Sequence, residues 1–467
     1  MEALKRDLWG YEVNTSSDDC IAAINAFYHQ VLSYGRGRSV ILKAPDHDLE
    51  CVLGNVLAAH FMASSDPSRV SIYLEAAMSR LDQATSYEKA VFDAVSYLVS
   101  EDRDDDVAVE LHSKLLDDFP KDLLSLKRAQ ILCFYMGDAE LSFNLVQKVL
   151  PVHKDESYIY GMLAFALLEL GRMKEAEEAA RKGFWINKQD FWSQHALCHV
   201  LQFECRFKEA VEFMEKCSTT WKSCSSFMYT HNWWHVALCY LEGAAPMDKV
   251  LKVYDEHIWM ELDKSDASPS EVYLNALGLL LRVYVRGEIY VFRDRLKIIS
   301  DCVKDKSVWF IEWHLDLLIL WALTITREYT KAEELLEGLK LKVSRMIKKK
   351  QQLMHGALKL AEAMYEFGRD DDELSLELFG LQFDAIHFKF IGASDEQLDV
   401  FNEVYYLVLL KNRKAEEAIN LLEKRLKTRE ALPFLWRLLA QGYSMTENSA
   451  ATKAFERARA LETVHFN

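Results

Sequence analysis

The chain is 467 residues long, half of them hydrophobic and 12% aromatic, with a formal net charge of −16 at pH 7. That composition excludes wholesale disorder and supplies material for a large core. The acidic balance argues against a nucleic-acid or anionic-membrane surface, which would concentrate Lys and Arg. The length suits two or three ordinary domains or one elongated repeat array.

The opening "MEALKRDLWGYEVNTSSDDC" lacks an apolar h-region, so no secretory signal is expected, and the sequon at Asn14 then carries little weight. "YGRGR" at 34–38 is too short and misplaced for a phosphate loop. Only seven prolines and 17 glycines punctuate the chain, and most of it reads as amphipathic helices with short breaks, which predicts an all-α class. "ASSDPS" (63–68), "KSDASPS" (264–270) and "GASDEQ" (392–397) read as loops. Nine cysteines without C-x-x-C suggest neither a disulfide framework nor a zinc ribbon, and point to a reducing, cytoplasmic setting.

A repeat emerges in the first half. Gly137 in "YMGDAELSF" precedes Gly171 by 34 residues, and Ala176 in "GRMKEAEEAARKGFW" precedes Ala210 in "CRFKEAVEFMEKC" by the same interval. A helix, a Gly-containing turn and a second helix carrying small residues (Ala176, Ala180, Gly183) at a 34-residue period is the tetratricopeptide signature. Neither helix can bury its apolar face alone, so neighbouring repeats stack into one core. Further on the period loosens. "PMDKVLKVYDEHI", "REYTKAEELLEGLK", "GRDDDELSLELFG" and "NRKAEEAINLLEKRL" read as later second helices. The expectation is one α-solenoid, strongly curved or closed, with an N-terminal helical cap over 1–40, an irregular repeat array over 41–430 and capping helices over 431–467. The apolar run 317–325 is too short to span a bilayer, and Lys348–Lys350 reads as a solvated helix end.

Two helices of this array carry histidines four residues apart: His195 and His199 in "FWSQHALCHVLQFE", His231 and His235 in "MYTHNWWHVALCYLEG". His195 lies 15 residues before Ala210 and His235 lies 15 before Val250, so the two occupy the same position in adjacent repeats. Residues at i and i+4 share a helix face, and parallel helices about 10 Å apart would let four imidazoles converge. Such a cluster suits a divalent metal such as zinc, iron, manganese or nickel, or proton transfer by a near-neutral histidine. Plain helix packing is the alternative. Neither helix contains H-E-x-x-H, so a zincin-type protease is not indicated.

Weaker candidates surround them. Glu204 is a candidate ligand or general base, and Asp255 a carboxylate that could orient an imidazole. His257 reads more naturally as buried and hydrogen-bonded. His314, between Glu312 and Asp316, falls on a later first helix, where those two acids read as solvated charge. Trp192, Tyr229, Asn232 and Trp234 could line a small-molecule pocket. Walker, dinucleotide and nucleophile-elbow motifs are absent from the sequence.

The order of short motifs "FWSQHALCHVLQFE", "HNWWHVALCYLEG", "VYDEHI" and "IGASDEQLDVFNE" resembles the tetratricopeptide repeat protein 38 family over roughly residues 40–410. The matching positions are His195, His199, His231, Asn232, Trp234, His235, Asp255, His257, Asp399 and Asn402. The resemblance implies a tetratricopeptide fold whose first helices line the concave surface, with the histidine positions in the groove, and brings no assigned activity. The reading that follows is a concave His/Trp-lined pocket binding a small organic molecule with a divalent metal. It leans toward a metal- or histidine-dependent enzyme performing hydrolysis, isomerisation or ring-forming addition, with His195, His235 and Glu204 as acid/base candidates. The competing reading is a scaffold that holds a protein or peptide segment in its groove.

Overall fold

The structure, a computed structural model, describes residues 4–466; residues 1–3 and 467, the outer ends of the two expected caps, lie outside it. Two compact units make up the chain: Met1–Leu197 with Thr220–Ser225, and Cys198–Thr219 with Ser226–Asn467. The boundary falls inside one helix.

The first unit starts on a short antiparallel pair, β1 (Lys5–Arg6) with β2 (Glu12–Val13), ahead of α1 (Asp18–Leu32). The expected N-terminal cap is therefore a hairpin and a helix rather than helices alone. Then follow α2 (Lys43–His47), α3 (Val52–Ser65), α4 (Val70–Met78), α5 (Ser86–Leu98), α6 (Asp105–Asp118), α7 (Leu123–Met136), α8 (Ala139–Val149), α9 (Ser157–Glu169) and α10 (Met173–Ile186). Helix α11 (Phe191–Phe203) crosses the boundary. In the second unit come α12 (Phe207–Ser218), α13 (Ser226–Glu242), α14 (Met247–Val253), α15 (Pro269–Val285), α16 (Arg293–Cys302), α17 (Trp313–Ile325) and α18 (Tyr329–Ser344). The last are α19 (Lys348–Gly368), α20 (Asp372–Phe379), α21 (Asp395–Lys411), α22 (Ala415–Leu426), α23 (Pro433–Met445) and α24 (Ala450–Glu462).

The chain is all-α, and within each unit it is built as helix pairs stacked in the manner of a tetratricopeptide solenoid. The two helices of a pair differ in kind. First helices such as α9, α13 and α17 are buried on nearly every side, whereas α10, α12 and α22 bury a single stripe that includes Ala176, Ala210 and Ala418. That division is the one expected where the first helix is sandwiched between neighbours and the second forms the outer layer.

One backbone device joins the helices of each pair. A residue with positive φ ends the first helix at positions 137, 171, 205, 244, 287, 327, 370, 413 and 447. Each time, the next amide donates back to the carbonyl five residues earlier, as Asp138 does to Cys133 and Lys414 to Leu409. This is the Schellman motif. Its spacing is 34 residues twice, then 39, 43, 40, 43 and 43, then 34 again. Only Gly137, Gly171 and Gly287 are glycines among these nine, and the rest tolerate a left-handed backbone without glycine's freedom. The sequence period fades where the turn residue stops being glycine and the connections lengthen; the geometry persists.

Small residues in the outer helices have a measurable reason. A Cβ added to Gly183 would stand 2.1 Å from Ser193 Oγ and 3.1 Å from the Cβ of Tyr160. By contrast, a Cβ on Gly356, within α19, would make its nearest contact at an ordinary 3.6 Å, to Phe388. Gly183→Ala should therefore destabilise the protein by about 1–3 kcal/mol through overpacking. Gly356→Ala should stabilise it by about 0.5–1 kcal/mol through helix propensity. Chemical denaturation of both variants against the parent measures the opposite signs.

Candidate functional site

Helices α11 and α13 bring their histidines to one place. One ring nitrogen from each of His195, His199, His231 and His235 lies within 4.8 Å of those of the others, and all four residues are buried, at most 2% exposed. His195 stands one turn before His199 on the same continuous helix. The His199 and His235 ring centroids are 4.3 Å apart, and those of His231 and His235 are 4.9 Å apart. About 2.0–2.1 Å to a shared ion would set imidazole nitrogens roughly 3.3 Å from one another in a tetrahedral shell, so a modest contraction would close the group around a metal.

Three of the rings are oriented through Nδ1. His231 Nδ1 is 2.7 Å from Asn275 Oδ1. The Asn275 amide nitrogen donates to Thr230 Oγ1 and to the Glu271 carbonyl, which turns its oxygen toward the imidazole. Thr230 in turn spends its own proton on the Ser226 carbonyl and so must accept from Asn275. His235 Nδ1 is 2.8 Å from Gln202 Oε1, and the Gln202 amide nitrogen donates to Glu242 Oε2. His199 Nδ1 is 2.7 Å from Glu396 Oε2. At the His231 and His235 distances a proton must lie between nitrogen and oxygen, since two lone pairs would repel. Nδ1 is thus the protonated nitrogen of these two rings, and their neutral tautomer carries its lone pair on Nε2, while His199 stands in ion-pair contact with Glu396.

Aromatic rings fix the rest of the orientation. His231 lies between Phe227 (4.9 Å, 18°) and Trp234 (5.3 Å, 9°), and His195 stacks on Trp192 (4.8 Å, 19°). Behind the histidines of the second unit is a layer of buried ions. Arg429 donates to Glu242, Arg282 and Arg286 both engage Glu403, Arg425 pairs with Asp399, and Arg282 also donates to the Glu396 carbonyl. Four arginines face four carboxylates, counting Glu396 with Glu242, Asp399 and Glu403, so the layer is neutral overall and each charge is compensated.

The electrostatics follow from this burial. Burial would raise the Glu396 carboxyl, but the charge and hydrogen bond of His199 outweigh it and hold Glu396 at about 2. Burial drives His231 down to about 4, with the nearby His199 adding to the shift and the Asn275 bond and Glu396 charge opposing it. His314, on α17, is also buried and is lowered to about 3, first by burial and then by the charges of His231 and Arg282.

The remaining sequence candidates fall in different places. Asn232 and Trp234 are buried on α13 beside the histidines, while Trp192 and Tyr229 are partly exposed, Tyr229 lying beneath the Lys264 ammonium at 4.4 Å. Glu204 is exposed and ion-paired with Arg206 at 2.9 Å, so it stands outside the buried histidine group. Asp255 pairs with Arg295 at a half-exposed position; the carboxylate that orients an imidazole is Glu396. His257 is half-buried and stacks on Trp233 (3.6 Å, 4°), rather than being enclosed and hydrogen-bonded. Asp316, read as solvated, is 1% exposed, accepts from the Phe310 amide, and is pushed up to about 7 by burial.

Sequence reasoning missed Gln202, Asn275, Glu396, Glu242 and the buried arginines. For Gln202 a signal existed, since it lies three residues after His199 on an otherwise apolar helix. Glu396 and Asn275 reach the histidines from later repeats, which no local pattern reveals.

No protein-family model matches the chain. Among solved structures it is similar to the human IFIT1 dimer with m7Gppp-AAAA, at 14% identity over 97% of this chain and 92% of that one, with a TM-score of 0.41. It is also similar to the P58(IPK) TPR domain, at 14% identity over 81% and 98% of the two chains (TM-score 0.22). The Naa15/Naa10 assembly bound to HypK-THB gives 12% identity over 95% and 67% (TM-score 0.24). No helix among the described residues is long and apolar enough to cross a membrane.

His314 makes the acid response of the fold testable. A histidine held neutral in the folded chain gains its proton only on unfolding, so it destabilises progressively as pH falls below about 6.5 and has no effect above it. Between pH 6.5 and 4.5 this site alone accounts for about 2 kcal/mol at most. Denaturation of the parent and of His314→Leu at both pH values should show the smaller acid loss in the variant.

Proposed function

We propose that the histidine cluster holds a divalent metal ion, with His199, His231 and His235 as ligands through Nε2, and that the metal-bearing site binds a small organic molecule. The observation that supports this most directly is the fixed Nδ1–H of His231 and His235, each aimed at a side-chain amide oxygen that is itself held in place, with the Glu396 carboxylate 2.7 Å from Nδ1 of His199. Metal-ligating histidines are oriented in this way, by a carboxylate or amide oxygen on the far nitrogen. Three imidazoles leave coordination positions open, as in catalytic rather than purely structural sites. When bound, such a metal supplies a Lewis acid for a carbonyl oxygen or for water, chemistry that suits hydrolysis, isomerisation or ring-forming addition. His195, one turn from His199 and stacked on Trp192, is the proton carrier in this reading.

The ion could be zinc, iron, manganese or nickel, since each accepts imidazole. The same reading places the chain in the tetratricopeptide repeat protein 38 family, on the order of its histidine-bearing motifs. It places the protein in the cytoplasm, which its nine free thiols support. A scaffold binding a peptide in a groove is the second reading, favoured only by the repeat type.

Elemental analysis of the purified full chain should find close to one metal per chain. His199→Ala and His235→Ala should each lose it, and His195→Ala should keep it. Glu396→Gln should retain the ion with affinity weakened about 10–100-fold. Metal absent from the parent after reconstitution, or retained by the His199→Ala/His235→Ala double variant, overturns the reading. Peptide capture that survives the double variant would then favour the scaffold.

A further inference from the structure

A second group of titratable side chains lies wholly in the first unit and has the opposite character. Arg128, on α7, is 5% exposed, and none of its three guanidinium nitrogens has a hydrogen-bond partner. His112, on α6, is fully buried with neither ring nitrogen bonded, and Arg38, from the "YGRGR" stretch, has a buried Nε in the same condition. Lys127, beside Arg128 on α7, gives its ammonium to the Val31 carbonyl at 2.6 Å and lies 3.3 Å above the Tyr34 ring. His60, on α3, is within electrostatic reach of Arg128, His112 and Arg38; burial first, and then those three charges, keep it well below the ordinary imidazole range.

The carboxylates nearby are already engaged. Asp122, which faces Arg128, accepts from Tyr87, from the Ser125 hydroxyl and from the Ser125 amide. Asp190, which faces Lys127, accepts from the amide and hydroxyl of Ser193. Burial holds the Lys127 ammonium well below its usual range, so the permanent cations here are Arg38 and Arg128, and the guanidinium donors of Arg128 remain unspent. An unpaired buried guanidinium is among the most unfavourable groups a protein interior can hold. Its planar set of donors matches an oxyanion.

We propose that Arg38, His60, Lys127 and Arg128, backed by His112, form an anion-binding site that takes the carboxylate or phosphoryl group of a small molecule. Arg38 and His60 are only half-buried, whereas Arg128 and His112 are buried. The anion supplies the acceptor that Arg128 lacks and balances the local positive charge. Nothing in this site depends on the histidine cluster of α11 and α13.

The test is thermal unfolding of the full chain at constant ionic strength, titrated with inorganic phosphate or acetate against a chloride control. One of the two oxyanions should raise Tm by several degrees in a saturable way, which also tells the phosphoryl from the carboxylate form. Arg128→Met and Arg38→Met should weaken that effect at least tenfold. Without added anion, Arg128→Met should be as stable as the parent or more so, because an uncompensated charge has been removed. If Arg128→Met fails to fold, the half-buried Arg38→Met decides. A parent that gives no saturable shift beyond chloride, or an Arg38→Met that keeps the full shift, overturns the proposal.

Discussion

An imidazole offers a metal one lone pair, and the partner of its other nitrogen decides where that lone pair sits. In this protein the partners are Asn275, Gln202 and Glu396, and the two amides are themselves constrained. Asn275 is turned by Thr230 and the Glu271 carbonyl, Gln202 by Glu242, and Glu242 by Arg429. The orientation of His235 thus rests on hydrogen bonds that end in a buried ion pair, that of His231 on hydrogen bonds that end in backbone carbonyls, and that of His199 on its contact with Glu396. Such a network is stabilising only when every member is satisfied, because removing one partner strands a charge away from water.

The helical repeat makes this network affordable in structural terms. Each Schellman turn returns the chain so that first helices lie side by side, and α13 packs on α15, α15 on α17, and α15 again on α21. Residues far apart in sequence then meet: Glu242 and Arg429 are 187 positions apart, and Arg286 and Glu403 are 117 apart. Outer helices carry the ordinary amphipathic stripe and inner helices carry the chemistry. A polar residue on an inner helix has no solvent to turn to, so it must find a partner on a neighbouring repeat or be used by a ligand.

The fold and the two histidine pairs were legible because both are local. Period 3.6 separates the helices, a 34-residue interval marks the first repeats, and an i, i+4 spacing puts His195 with His199 and His231 with His235. What could not be read is non-local. From Cys205 on, every repeat boundary except Gly287 lacks glycine, so Ala244, Arg327, Asp370 and Arg413 look like ordinary helix residues until their φ is known. Glu396 sits in a motif that drew notice for Asp399 and Asn402, yet it is the residue that reaches His199. Asp399 instead serves Arg425, and Asn402 accepts from the Ala385 amide. Glu204 and Asp255 show the reverse error: sequence neighbourhood suggested a role, and each found an arginine at the surface.

The central claim is that three imidazoles, His199, His231 and His235, present Nε2 to one ion. X-ray absorption of the metal-loaded full-length protein tests it most directly. The account predicts three imidazole nitrogens at about 2.0–2.1 Å for a zinc-like ion, with the remaining positions filled by oxygen ligands. A shell of oxygens alone, or a sulfur ligand, would contradict it.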